Sequence, residues 1–194
     1  MTFIVAKLGV MKGKDLVQVH LLLLQPRHEK SSLSSLLIIP SAHFLIHLVE
    51  WMPLVLEQHP NLTYLGLDVV FKVIAANKQR LPHLNFQQHD LTLSPLPKGF
   101  DLLLSRDTLQ HLNHDNVKKV LKYFRESGAK FLLVGSYPIG QNTDITNGGY
   151  FSIDLKKPPF NDLLPPPLAI FDEKYGYKYL YAYDLRKLAE VSSR

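Results

Sequence analysis

Phe100-Asp-Leu-Leu-Leu-Ser-Arg-Asp107 decides the fold of this chain. The run from Phe100 to Ser105 is almost continuously apolar. Such runs are strands of sheets covered on both faces. This one leads to an aspartate. Two shorter runs close the same way, Tyr64-Leu-Gly-Leu-Asp68 and Phe86-Gln-Gln-His-Asp90. In open α/β sheets, ligands bind beyond the carboxyl ends of the strands. Three aspartates at successive strand ends therefore outline one side of one pocket.

The elements on either side support this reading. Thr63 to Leu67 is predicted as a strand, Val69 to Arg80 as a helix with Phe71, Ile74 and Ala75 on one face, and Leu84 to Gln88 as the next strand. Leu93 to Gly99 is a Pro-containing loop. Beyond Ser105, Asn113 suits a helix cap. Val117, Val120, Leu121 and Phe124 follow at i, i+3, i+4 and i+7, which makes one buried stripe. Lys118, Lys119, Lys122 and Arg125 fall off that stripe, as a solvated face does. Gly128 suits the position just past the helix end. Lys130 to Tyr137 is a strand stopped by Pro138. This alternation over residues 62–137 predicts a parallel α/β sheet.

After Pro138 the character changes. Gly140 to Tyr150 is polar, and Pro158-Pro159 and Pro165-Pro166-Pro167 bracket a rigid loop. Leu168 to Phe171 and Lys178 to Tyr183 form a terminal hairpin, suited to antiparallel pairing at the sheet edge. Upstream, residues 1–34 show no sustained period. Ser35 to Ile39 reads as a short buried strand. Ala42 to His59 reads as a helix that Pro53 kinks or restarts. The domain organisation expected is a poorly defined segment over 1–40 and a single domain over 41–194.

Composition narrows the function classes. The 194 residues are 46% hydrophobic, enough for one full core. With no cysteine there is no disulfide, thiolate metal site or cysteine nucleophile. The net charge of +5 is spread along the chain, so it favours acidic partners mildly and supports nucleic-acid binding only weakly. Tyr175, Tyr177, Tyr179, Tyr181 and Tyr183 alternate along the hairpin. They suit a base-stacking surface, or more commonly one face of an edge strand. His43, His47 and Glu50 do not make a zinc-protease helix, because Phe44 stands where the glutamate is needed. No metal is expected. No run reaches the ~20 apolar residues of a membrane span. The first residues make a poor signal peptide, so an intracellular, cytoplasmic protein is expected.

The residues quoted above resemble the class I S-adenosylmethionine-dependent methyltransferases, over roughly Trp51 to Leu188. The carriers are Leu65-Gly-Leu-Asp68, His89-Asp90, Phe100 to Leu112 and Lys130-Phe-Leu-Leu-Val-Gly-Ser-Tyr137. A subgroup of that family is similar also in Asn142-Thr-Asp-Ile145 with Gly148-Gly149, and in Pro158-Pro-Phe160. The resemblance implies a Rossmann-like, mostly parallel sheet with a C-terminal antiparallel hairpin, and methyl transfer from S-adenosylmethionine to an unknown acceptor. It implies Asp68, with Val69 beside it, on the ribose hydroxyls, and Asp90 with Leu91 at the adenine. Ser105 and Arg106 fall near the cofactor's amino-acid end. Asp107 and His111 orient or deprotonate the acceptor, and Tyr137, Asn142 and Asp144 face it.

One stretch departs from the family. Its glycine-rich loop, where glycine lets backbone approach the cofactor, falls between Ser41 and Glu50 by spacing back from Asp68. Ser41-Ala-His-Phe-Leu-Ile-His-Leu-Val-Glu50 has no glycine. The departure implies weak or absent cofactor binding. Two further readings follow: a non-catalytic relative that keeps the fold and binds a partner, and a basic nucleic-acid-binding module.

Overall fold

The computed structural model describes residues 2–7, 53, 56, 57, 62–138, 141–174 and 177–187. The chain divides into a unit of residues 1–8 with 63–194 and a second unit of residues 9–62. All the elements below belong to the first. The strand expected at 35–39, the loop at 41–50 and the boundary at 40/41 lie outside the described residues. So does the helix expected over 42–59, apart from residues 53, 56 and 57, which are helical.

Seven strands form one sheet: β1 (Thr2–Lys7), β2 (Thr63–Asp68), β3 (Asn85–Gln88), β4 (Leu102–Ser105), β5 (Phe131–Ser136), β6 (Ala169–Lys174) and β7 (Lys178–Asp184). Their spatial order is β3-β2-β1-β4-β5-β7-β6. The pairs β2–β3 and β4–β5 are parallel. β7 runs antiparallel between β5 and β6. Helix α1 (Phe71–Arg80) follows β2, and α2 (His114–Glu126) follows β4. Five strands, β2 to β6, thus point one way, and β1 and β7 point the other.

The sequence expectations hold best where apolar periodicity is strongest. β4 and β5 are buried throughout. In α2 the stripe Val117, Val120, Leu121 and Phe124 is fully buried. The Asn113 side chain caps that helix by accepting from Asn116 N–H at 2.9 Å, and Gly128 takes φ +82° just after its end. In α1 only Ile74 of the expected face is buried. Phe71 is 67% exposed. It is the first residue of α1, so the helix meets the sheet one turn later.

The closing hairpin pairs antiparallel at the sheet edge as expected, but the tyrosines do not lie on its edge strand. Its second strand is interior, because β6 takes the edge and β7 lies between β6 and β5. The rings of Tyr179, Tyr181 and Tyr183 lie in succession with centroids 6.5 and 6.3 Å apart. Tyr181 and Tyr183 are core residues, and burial raises the pKa of both phenols. Rings covered in this way offer no face to a nucleic-acid base. Tyr177 is exposed, and Tyr175 lies outside the described residues.

β1 is the element that periodicity did not reveal. It occupies the middle of the sheet, antiparallel to both neighbours, with Ile4 opposite Gly66 on one side and Leu104 on the other. Its amino end, Thr2, pairs with Asp68 at the carboxyl end of β2. Beside it, Gly66 is required by packing. A Cβ there would stand 2.6 Å from the Tyr64 hydroxyl and 2.7 Å from the Phe86 ring.

Candidate functional site

The carboxyl ends of β2, β3 and β4 share one edge. Asp68 ends β2 and pairs in register with Gln88 of β3. Asp90 and Asp107 each follow their strand by two residues. The three aspartates therefore converge as the sequence implies. An open cleft of about 650 Å³ lies at the opposite edge, lined by residues such as Thr63, Lys78, Pro82 and Asn85. It is remote from the acidic strand ends.

Asp68 and Asp90 both serve the local fold. The Asp68 carboxylate is 1% exposed and accepts from Val70 N–H at 2.7 Å. Val69 carbonyl accepts from the Gln88 amide at 3.1 Å. Asp90 Oδ1 accepts from both the backbone N–H and the hydroxyl of Thr92, at 2.8 and 2.7 Å. This is the turn geometry that aspartate favours. Leu91 beneath it joins the core. Ser105 Oγ is buried and has no hydrogen-bond partner among the described residues.

S-adenosylmethionine is the group that the resemblance implies. The residues are of a kind that suits its nucleoside half: two acidic groups stand at the ends of adjacent parallel strands. They do not fit its amino-acid half. In an open α/β sheet the loop after a central strand approaches the ligand. Here the central strand runs backwards and brings its amino end to that edge.

The other half of the edge is densely built. Asp107 has φ +54°, a left-handed conformation that aspartate tolerates better than most residues. Its Oδ1 accepts from the Tyr137 hydroxyl at 2.5 Å and from the Gln110 amide at 3.2 Å. Its Oδ2 accepts from the Lys178 ammonium. Burial, followed by the Asp107 charge, pushes the Tyr137 phenol far above its ordinary pKa, so it stays a donor. Arg106 Nε stands 2.7 Å from Glu173 Oε1, within ion-pair distance but without hydrogen-bond alignment. Lys178 Nζ is also 3.4 Å from Glu173 Oε2. Sequence reasoning missed Glu173 and Lys178. Their signal was charge at the hairpin tip: Glu173 in the segment joining the two β-type runs, and Lys178 at the start of the second.

His111 closes the 3₁₀ turn Leu109–His111 that follows Asp107. Its Nδ1 lies 2.8 Å from the Gly149 carbonyl oxygen. A carbonyl only accepts, so Nδ1 carries the proton and Nε2 of the neutral ring keeps its lone pair. The 141–151 loop is tied to this turn. Gly148 N–H donates to His111 O at 2.8 Å, and Phe151 N–H to Gln110 O at 3.1 Å. Tyr150 stands beside the imidazole, centroids 5.7 Å apart, and is 58% exposed.

Asn142 and Asp144 are engaged within the same loop. The Asn142 amide donates to the carbonyls of Asp154 and Pro158 at 2.9 and 2.8 Å, and its oxygen accepts from Asp154 N–H. It thereby pins the Pro158-Pro159 segment. Asp144 Oδ1 accepts from His114 N–H at 2.7 Å and Ile145 N–H at 2.9 Å, clamping the start of α2.

The His114 hydrogen bond is the main reason that the Asp144 carboxyl is held below its ordinary range. A lowered carboxyl pKa stabilises the fold above the ordinary value of about 3.9. The contribution is lost as pH falls through the folded-state value. Thermal unfolding of wild type and Asp144→Ala is therefore expected to differ at pH 7 and to converge in strong acid. A difference that persists in acid would assign the effect to something other than the carboxylate.

Among the described residues no group of His, Cys, Asp and Glu side chains makes a metal site. Nor is any helix there long and apolar enough to cross a membrane.

Comparison with known proteins agrees with this architecture. Residues 49–127 match the methyltransferase domain family. No curated protein matches the chain in sequence. Among solved structures, the PH0226 protein of Pyrococcus horikoshii is similar at 16% identity, over 70% of this chain and 77% of its own, with TM-score 0.53. LaPhzM is similar at 14% identity, over 69% of this chain and 46% of its own, with TM-score 0.54. A TehB-like SAM-dependent methyltransferase of Corynebacterium glutamicum matches at 16% identity, over 62% and 66%, with TM-score 0.46. The chain thus spans less than two thirds of two of these three relatives. Residues 49–127 thus match a methyltransferase domain, and the α/β sheet shares its fold with PH0226 and LaPhzM.

Proposed function

We propose that this chain holds an acceptor at the carboxyl edge of its sheet for methyl transfer from S-adenosylmethionine, with His111 taking up the acceptor's proton. The observation that carries the reading is the His111–Gly149 hydrogen bond, beside an edge where the ends of β2, β3 and β4 meet. It leaves a basic nitrogen of defined tautomer at the acceptor side, which general-base catalysis needs. Asp107, the other candidate from sequence, already accepts from Tyr137, Gln110 and Lys178. It positions these groups and is poorly placed to take a proton.

When bound, the cofactor supplies a methyl group already activated by the sulfonium. The protein's share is alignment, which is worth several kcal/mol or more when reacting atoms are held at near-attack distance. Asp68 would accept from the ribose hydroxyls, and Asp90 with Leu91 would meet the adenine. Towards the cofactor's amino-acid end, which the edge otherwise does not fit, the chain presents the buried Ser105 hydroxyl.

Affinity is expected to be low, near or above millimolar. The backbone donors of a glycine loop are absent from the sequence at 41–50, and unpaired buried polar groups cost ~1–3 kcal/mol each. The test is titration of the full chain with S-adenosylhomocysteine, followed by amide NMR shifts at Gly66, Asp90 and Leu91. Binding weakened at least tenfold by Asp68→Ala is the expected outcome, because losing charge-assisted hydrogen bonds costs ~1.5–3 kcal/mol. Micromolar affinity would refute the argument from the missing loop. No shift at several millimolar would favour the non-catalytic relative, which the reversed β1 supports.

A further inference from the structure

The cluster joining β4 to the closing hairpin has a charge arrangement that the proposed chemistry has not yet used. Asp107 and Glu173 carry two negative charges, and their side chains are each 3% exposed. Arg106 offsets one of them through Glu173 Oε1. One negative charge remains for one cation, and Lys178 fills that place. Its ammonium donates to Asp107 Oδ2 and lies 3.4 Å from Glu173 Oε2. That Glu173 oxygen is buried and has no hydrogen bond of its own. It therefore has acceptor capacity that the tethered lysine does not use.

The occupant is also replaceable. Lys178 is the first residue of β7, beside the hairpin tip, and a lysine head sits on a flexible four-carbon stem. The head can leave without moving the strand. Burying two carboxylates is costly, and such groups are retained where they set specificity in some proteins.

We propose that Asp107 and Glu173 form a primary-ammonium site on the acceptor side of the edge. Lys178 closes it in the free protein, and an acceptor bearing a primary ammonium opens it by taking the lysine's place. This names the acceptor class within the methyl-transfer reading and rests on that reading for its purpose. The site itself is testable without cofactor.

The experiment is thermal unfolding of the full chain carrying Lys178→Ala, in ethylammonium chloride and in potassium chloride at equal ionic strength. The variant is expected to melt below wild type. Ethylammonium at roughly ten times its dissociation constant should raise its Tm by about 3–5 °C. Tetramethylammonium, which has no N–H to donate, should not, and wild type should respond to ethylammonium only at higher concentration, because Lys178 must first be displaced. Equal Tm values for the variant in ethylammonium and potassium would overturn the proposal.

Lys178→Met, which keeps the stem volume, repeats the test if the alanine variant does not fold. If neither folds, soluble yield on refolding becomes the readout, and equal yield in both salts overturns the proposal. A variant rescued by ethylammonium, in a protein whose wild type shows no S-adenosylhomocysteine shift, would keep the ammonium site and remove the methyl-transfer reading.

Discussion

Val5→Pro is expected to abolish the cooperative unfolding transition of this protein. Val5 lies mid-strand in β1, opposite Leu65 on one side and Leu103 on the other. Its N–H belongs to a strand paired along both flanks, where proline removes a ladder bond and its ring clashes with a neighbour. The cost of such a break is ~3 kcal/mol or more, against a total stability of about 5–15 kcal/mol for a typical domain. The position magnifies it. β2 and β3 join the other four strands only through β1, so its loss divides the sheet in two. Circular dichroism on heating should show a broad, non-two-state melt. A sharp transition within a few degrees of wild type would mean that β1 does not hold the sheet together.

The second large effect is expected at Asp107. Asp107→Ala leaves the Lys178 ammonium without its principal partner and the Tyr137 hydroxyl without an acceptor. Removing one member of a buried ion pair costs ~3–5 kcal/mol. For a chain of this length that is a fall in Tm of roughly 6–20 °C. Adding Lys178→Met to Asp107→Ala removes the stranded charge and should recover much of the loss. Two additive penalties would show that the residues are not coupled. Asp107→Asn keeps the tolerance for positive φ, so comparison with alanine separates the backbone contribution from the charge.

Much of this was legible because it depends on neighbours in sequence. The α2 stripe, the Asn113 cap and the Gly128 stop follow from the helical period and from capping chemistry, and all three stand where the sequence put them. The ends of β2, β3 and β4 were legible for a related reason: a covered strand is apolar until it reaches the edge, and there the first carboxylate appears. Phe71 misled because a helical period assigns a face without saying where the sheet beneath it ends.

The rest depends on distant pairing. Thr2 to Lys7 alternates too little to declare a strand, and nothing local sets its direction. Its partners lie about sixty and a hundred residues away. Glu173 and Lys178 look like ordinary solvent-facing charges until the β5–β7 register, with Ser136 opposite Tyr179, carries them to the end of β4. Asn142 and Asp144 were placed at the acceptor by resemblance. Their hydrogen bonds show that the same residue types also suit a loop clip and a helix clamp.

The placement of β1 also sets the timing of assembly on the ribosome. Thr2 to Lys7 cannot be paired on both sides until its second neighbour has been made as far as Leu104. At about 5–20 residues per second, Thr2 to Lys7 waits roughly 5–20 s after emerging. For that interval the nascent chain carries an apolar segment with at least one hydrogen-bonding side open. The pairs β2–β3 and β4–β5 likewise form with unguarded inner flanks, which are templates for association with other chains. Productive folding should therefore depend on keeping Thr2 to Lys7 from pairing with other chains until β4 has been made.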